Sequence, residues 1–342
     1  MSRSEAILYT LVSYQALLLA IGLWASRRTR DREDFFLGGR ALGPWVAAIS
    51  ASASSSSAWT LLSVSGMAYL WGLPALWLFP ATLLGFLVNW LWIAPRLQRM
   101  AAHSGDITLT GFLAGPPDAP GRERILVAAS AIVLFSFLFY IAAQFQAAGN
   151  AFASAFDLEM GAAVAVGAAV VLVYTLLGGF WAVSVTDTLQ GLLMAATAIV
   201  LPAIALAAVG GWSGLVSALD ISAVNPAPTQ GSLPAAVGFV AGTLGIGLGY
   251  PGQPHVVNRF MALRDERSLA RARLIAIGWA VIIYSGMLLL GLCARGLFAG
   301  VLEPEAVLFE VADRLIAPVV AGVMIAAVLS AIMSTADSQL LV

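Results

Sequence analysis

The sequence predicts an all-α integral membrane protein, and three observations carry that prediction. Sixty per cent of its 342 residues are hydrophobic and only 10% are charged, with a mean hydropathy of +0.91. An ordinary soluble domain has about 25% charged and about 45–50% apolar residues. The apolar residues are gathered into nine stretches, near 6–25, 43–70, 74–94, 125–150, 160–180, 189–209, 233–252, 274–299 and 315–342. Each is close to the ~20 residues a helix needs to cross a bilayer, where a helix satisfies its backbone polar groups within its own segment.

The first stretch reads as a retained helix. Arg3 and Glu5 precede it, which is no basic leader, and Arg27, Arg28, Arg30 and Arg32 follow in place of a small-residue cleavage site. That is a stop-transfer flank. The second stretch opens with a run of Ala and Ser from Ala47 to Ala58, almost without bulky side chains. Small residues suit close helix packing in membranes, and they equally suit a helix interrupted at mid-membrane, with freed carbonyls and hydroxyls lining a polar cavity. The third to sixth stretches are plain apolar helices. Thr186-Asp187-Thr188 lies between the fifth and sixth, so residues 181–188 read as a loop whose aspartate N-caps the helix from Leu189 or serves an ion. The seventh ends in Gly242-Thr-Leu-Gly-Ile-Gly-Leu-Gly-Tyr-Pro-Gly-Gln-Pro254. Glycine costs about 1 and proline about 3 kcal/mol in a helix interior, so five glycines and two prolines predict a second break. Interrupted helices in both halves of a chain point to a secondary-transporter binding site.

Charge sets orientation. All 17 basic residues are arginine; fourteen lie in residues 26–41, 95–125 and 253–273, against Arg3, Arg295 and Arg314 elsewhere. The positive-inside rule then puts the N-terminus outside and the Arg-rich loops in the cytoplasm of a multi-pass inner-membrane protein. A net charge of −1 leaves no basic surplus for nucleic acid; the expected partners are a small-molecule solute, sodium and the lipid bilayer. One cysteine, Cys293, excludes an internal disulfide and a cysteine metal cluster. His103 and His255 read as cytoplasmic loop residues, so neither enzyme chemistry nor a resident cofactor is expected. Two carboxylates, Asp187 and Asp337, fall in or at the edge of apolar spans, where a charge is costly and therefore a functional candidate. Ala331, Ser334, Thr335 and Ser338 share one face of the last helix, offering hard oxygen ligands to a monovalent cation.

Four blocks of sequence resemble the sodium:solute symporter family: Tyr174–Gln190, Gly249–Met261, Ser330–Leu341 and Asp34-Phe-Phe-Leu-Gly-Gly-Arg40. The resemblance implies an inverted-repeat fold of five plus five helices with one extra N-terminal helix. It divides the chain into 1–41 (first helix and cytoplasmic loop), 42–212 (first repeat) and 213–342 (three helices of the second). That fold needs at least two more helices than the sequence to Val342 supplies, so the second repeat is expected to be truncated. The activity implied is sodium-coupled import of a small organic solute, an amino acid such as proline, by alternating access, with sodium the coupling ion. The alternatives are a sensor module of the kind fused to histidine kinases, and a truncated, non-transporting relative.

Carried over by residue, the resemblance implies a sodium site from the carbonyls of Ala53, Ser56 and Ala331 and the hydroxyls of Ser334 and Thr335. It implies a second sodium shared by Asp187, Asp337 and Ser338, with Ser334 beside them. The solute would meet Ser57, Tyr140, Tyr250 and Pro254. Two positions depart from the pattern of proline-carrying members, which have an aspartate where this chain has Ser55 and a tryptophan where it has Ile246.

Overall fold

The computed structural model describes residues 3–27, 31–156, 160–219, 232–298, 300–301 and 303–342, which form fifteen α-helices joined by short 3-10 and π-helical turns. The first helix, α1 (Arg3–Ser26), leads through α2 (Arg32–Leu37) to α3 (Pro44–Ser55) and α4 (Val64–Trp71). Then come α5 (Leu78–Val88), α6 (Ala94–Ser104), α7 (Leu109–Ala114), α8 (Arg122–Phe156) and α9 (Met160–Ala208). The remainder is α10 (Gly211–Ala218), α11 (Leu233–Gly245), α12 (Pro254–Met261), α13 (Glu266–Leu297), α14 (Val307–Leu315) and α15 (Pro318–Leu341). Seven helical stretches among the described residues are long and apolar enough to cross a membrane.

The centre of the bundle is α9, which packs on α1, α3, α8, α13 and α15. Of the stretches long and apolar enough to cross a membrane, the last is the most enclosed: every side chain from Met324 to Gln339 is buried, four hydroxyls, a carboxylate and an amide among them. By contrast, α8 turns Val127, Ile132, Leu134, Phe135 and Leu138 outward, as suits a face against lipid. Glycine lets backbones meet where helices cross. A Cβ on Gly286 of α13 would stand 2.0 Å from the Ala198 carbonyl oxygen of α9, and one on Gly191 2.5 Å from Ile49 of α3.

Two expected loops are helical. No loop separates a fifth from a sixth span, because α9 runs through residues 181–188 and bends instead at Gly179 (φ 55°, ψ −149°). The polar residues there are accommodated by back-bonding, Thr186 to the Ala182 carbonyl at 2.9 Å and Thr188 to that of Ser184 at 2.7 Å. Asp187 therefore caps nothing. Nor does the chain enter a loop after Gly252: Pro254 is the N1 residue of α12, a position where its missing N–H costs nothing and its φ is preset for a helix. Every residue from His255 to Met261 is buried. His255 is therefore an interior residue rather than a loop hydrogen-bonder, and Arg259, at 0% exposed, is not one of the surface arginines.

At that end of the molecule the chain is tied across. Leu42 donates its N–H to the Ala262 carbonyl at 3.3 Å, and Arg40, in the left-handed region at φ 52°, reaches the carbonyls of Met261 and Asp106. Asp265 caps α13, accepting the Ser268 N–H at 2.7 Å; that bond holds its carboxyl below the usual carboxylate range.

Candidate functional site

Both expected breaks are present. The run of small residues holds α3 to Ser55, where Ser56 (φ −111°, ψ 83°) leaves the helix; a π turn, Trp59–Ser63, restarts it into α4. The N–H of Ala58, set free by the break, donates to Oε1 of Gln144 on α8 at 3.2 Å. In the second break α11 gives way to a 3-10 segment, Ile246–Gly252, and an extended Gln253 before α12. That segment lies backbone to backbone on α5. A Cβ on Gly247 would stand 2.2 Å from the Ala81 carbonyl oxygen, and the Tyr250 carbonyl accepts from Asn89 Nδ2 at 3.0 Å.

The carbonyls at the broken end of α3 face the hydroxyl face of α15. Ser334 Oγ lies 3.2 Å from the Ala53 carbonyl oxygen and 3.4 Å from that of Ala331. Thr335 Oγ1 lies 3.1 Å from the Ser54 oxygen and 3.0 Å from that of Ala331. Ala53, Ala331, Ser334 and Thr335 are thus brought together, with the buried Ser56 at the lip of the break. The sequence did not single out Ser54, whose carbonyl also faces His255 Nε2 at 3.1 Å. The cluster is all oxygen and carries no formal charge.

About one turn along α15 the chemistry changes. Asp187, Arg259, Ser50 and Ser338 are all fully buried. Oδ2 of Asp187 accepts from Ser50 Oγ at 2.7 Å, Arg259 Nη2 at 2.8 Å and Ser338 Oγ at 3.3 Å. Arg259 also donates to Ser50 Oγ at 3.0 Å, to the His255 carbonyl and to Ser338 Oγ, and its guanidinium carbon sits 5.4 Å from the centre of the Phe180 ring. Asp337, also 0% exposed, has its Oδ1 3.2 Å from Ser338 Oγ, whose single proton serves either Asp187 or Asp337. The cation against Asp187 is therefore an arginine that counting loop charges had assigned to the cytoplasm. Its signal in the sequence was local: it is a lone charge among Val256, Val257, Phe260 and Met261. Removing one partner of such a buried pair costs about 3–5 kcal/mol.

Of the expected solute contacts, Ser57, Tyr140 and Tyr250 converge. Tyr140 lies against Ser57 and close to Tyr250 and Tyr284. The hydroxyls of Tyr250 and Tyr284 bond to one another, and the Phe86 ring packs at a tilt of 51° against that of Tyr250, centres 5.1 Å apart. Tyr284 and Gln144 went unnoticed because each lies inside a long helix with its partner far away in the sequence. Pro254 lines a groove of about 520 Å³ with Ile93, Leu97, Ile132 and Val257. At the departing positions, Ser55 bonds back to the Ser52 carbonyl at 2.8 Å, and Ile246 is 37% exposed.

Residues 35–342 match the model of the sodium:solute symporter family. The chain belongs to that family. Membership makes it a membrane transport protein of the sodium-coupled class and not an enzyme. It is 37% identical to the osmoregulated proline transporter OpuE of Bacillus subtilis, over 99% of this chain and 69% of that one. With the sodium/proline symporter of Escherichia coli the identity is 35%, over 100% of this chain and 69% of the relative. The fold matches a solved structure titled as the substrate-bound, outward-open state of a Na+-coupled sialic acid symporter, with a TM-score of 0.80 at 19% identity, covering 99% of this chain and 72% of that one. The all-helical transporter fold expected from the sequence is thus the fold found.

Proposed function

We propose that the protein couples the entry of sodium to the import of an amino acid, proline in the first instance, by alternating access across the cell membrane. The observation that carries this reading is the junction of the first break with α15, where Ser334 and Thr335 turn their hydroxyls onto carbonyls of α3. Sodium would be held there by the carbonyls of Ala53, Ser56 and Ala331 and the hydroxyls of Ser334 and Thr335. A hard monovalent cation needs oxygens to replace its hydration shell, and a broken helix supplies carbonyls that an intact one would keep. The solute would bind beside the ion against Ser57, Tyr140 and Tyr250, with Pro254 at the start of α12. Proline heads the solute list because the relatives from B. subtilis and E. coli are named for it. Ile246, in place of an indole, leaves room for a bulkier solute, so the screen extends to larger amino acids.

We read the architecture as one additional helix (1–41), a first repeat (42–212) and part of a second (213–342), with a break in the opening helix of each repeat. The N-terminus is read as outside and the Arg-rich loops as cytoplasmic. In the cycle, sodium ties the open end of α3 to α15 and so fixes the segment Ser56–Ala58 that faces the solute. Rocking of the broken helices against the scaffold then delivers both inward, driven by about 2.3 kcal/mol per charge per 100 mV of membrane potential.

The test is uptake of labelled proline under a sodium gradient by a Ser334→Ala, Thr335→Ala double variant. We expect sodium-driven uptake to be lost at a normal level of protein in the membrane. Unchanged uptake with an unchanged sodium titration would overturn the ion site.

A further inference from the structure

We propose that the Arg-rich side of the protein carries a site for one anionic phospholipid, its phosphate held by Arg96 and Arg99 and an acyl chain laid in the groove that adjoins them. The proposal stands apart from the symport reading, because it concerns what the membrane supplies rather than what is carried.

The head of the site is built on α6. Arg96, Arg99, Met100 and His103 fall at i, i+3, i+4 and i+7 and so share one face, and all four are exposed. That face lines a cavity of about 970 Å³, with Phe112 of α7 and the turn Gly115-Pro116-Pro117 among its other walls. Arg96 donates through Nη1 to the Trp92 carbonyl at 2.9 Å, and Arg99 through Nε to the Pro95 carbonyl at 3.1 Å. A guanidinium carries five N–H donors in a fork that matches phosphate, and each of those bonds uses one. Two carboxylates stand near. Glu266 comes within 3.7 Å of Arg99, with both side chains more than half exposed, so that pair is screened and loose. Asp106 lines the cavity, and its Oδ1 turns to the first turn of α7, 3.5 Å from where a Cβ on Gly111 would stand. Arg122 adds a positive charge at the rim, its Nε donating to the Gly115 carbonyl at 3.0 Å.

The tail of the site is the groove of about 520 Å³ that Pro254 lines. It shares Arg96, Met100 and Phe112 with the basic cavity. Its other walls include Leu113 of α7, Ala129, Ile132 and Val133 of α8, and Pro251 beside Pro254 at the second break. This is the side on which α8 turns its apolar residues outward, Ile132 being 67% exposed. A basic cavity alone would take any anion, and an apolar groove alone any hydrocarbon chain. Joined at Arg96, the two fit a molecule that is anionic at one end and hydrocarbon at the other, which the surrounding bilayer holds at that depth. Basic pockets between helices at the membrane surface recognise anionic headgroups in this way. The groove's inner wall is the second break, so a chain seated there packs on Pro251 and Pro254 and braces the inner arm, α12.

The experiment offers the purified chain equal amounts of phosphatidylglycerol and phosphatidylcholine with matched acyl chains, and reads the lipid it retains by native mass spectrometry. The wild type should retain phosphatidylglycerol several-fold over phosphatidylcholine. Arg96→Gln combined with Arg99→Gln should bring the ratio to parity. Arg267→Gln combined with Arg271→Gln removes two exposed arginines that do not line the cavity, and should leave the ratio unchanged. Ala129→Trp fills the groove from the lipid-facing helix and should lower phosphatidylglycerol retention with both arginines intact. Excess inorganic phosphate should displace none of the bound lipid. Parity in the wild type would overturn the proposal, and so would an equal loss in the Arg267/Arg271 variant, which would mean diffuse surface charge. Displacement by phosphate would make the occupant a soluble anion, and wild-type retention in Ala129→Trp would remove the groove from the site; either overturns it. Should the Arg96/Arg99 variant lose its fold, the groove variant and the phosphate competition still decide.

Discussion

Gln144 is the residue through which α8 holds the first break in shape. The break releases the N–H of Ala58 from the helix ladder in a buried position, and Oε1 of Gln144 is the acceptor it finds. A buried donor left without a partner costs about 1–3 kcal/mol. Gln144→Met keeps the volume and removes the acceptor. We expect it to lower the thermal stability of the purified protein and to raise the KM for solute several-fold, since Ser57 is the neighbour of Ala58. An unaltered KM and melting temperature would show that the break is held by other means. Such residues were hard to read in advance because their partners are remote. Gln144 meets Ala58 across 86 positions, and Arg259 meets Asp187 across 72. Ser334 and Thr335 were legible because their helical spacing and a matched sequence block agreed. Asp187 was legible as a costly charge, but nothing nearby in sequence said which cation met it.

The elements were legible where composition changes abruptly and obscure where one residue decides. The Ala/Ser run and the glycine-rich tail of α11 both announced broken helices, because each removes the side chains or N–H groups a helix needs. Pro254 misled because a proline ends one helix and begins another equally well, and here it does the second. Thr186-Asp187-Thr188 misled because polar residues resemble a loop until back-bonding and an ion pair are found for them. The second break owes its position to its seat on α5, which can be tested glycine by glycine. A methyl at Gly247 would strike the Ala81 carbonyl oxygen at 2.2 Å, whereas methyls at Gly245 and Gly249 meet nothing within 4 Å. Overpacking of this kind costs typically about 1–3 kcal/mol, and a backbone oxygen cannot swing away as a side chain would. Gly247→Ala should therefore lower thermal stability and uptake, while Gly249→Ala should leave stability near the wild type. Equal effects would mean that the segment needs glycine for backbone freedom rather than for contact.

For the whole molecule, the asymmetry of arginine is the feature on which orientation rests, and the interior position of Arg259 refines it. With that residue withdrawn from the loop count, thirteen arginines remain in the three Arg-rich segments against three elsewhere, so the bias survives. Positive flanks stay cytoplasmic because carrying them across the membrane is opposed by the potential. The single native cysteine makes this testable with little background, since Cys293 is buried. New cysteines at exposed Asp118 and Arg267 on one side, and at exposed Ser213 and Glu303 on the other, divide the loops as the arginine count does. A membrane-impermeant maleimide should label Ser213→Cys and Glu303→Cys in intact cells, and Asp118→Cys and Arg267→Cys only in inverted vesicles. The unsubstituted protein should label in neither. If Asp118→Cys and Glu303→Cys label from the same side, the spans between them have been miscounted. If all four label with the sides exchanged, the count stands and the molecule is inverted. The Ser334–Thr335 junction would then face the opposite compartment, and sodium would enter the proposed cycle from the other side.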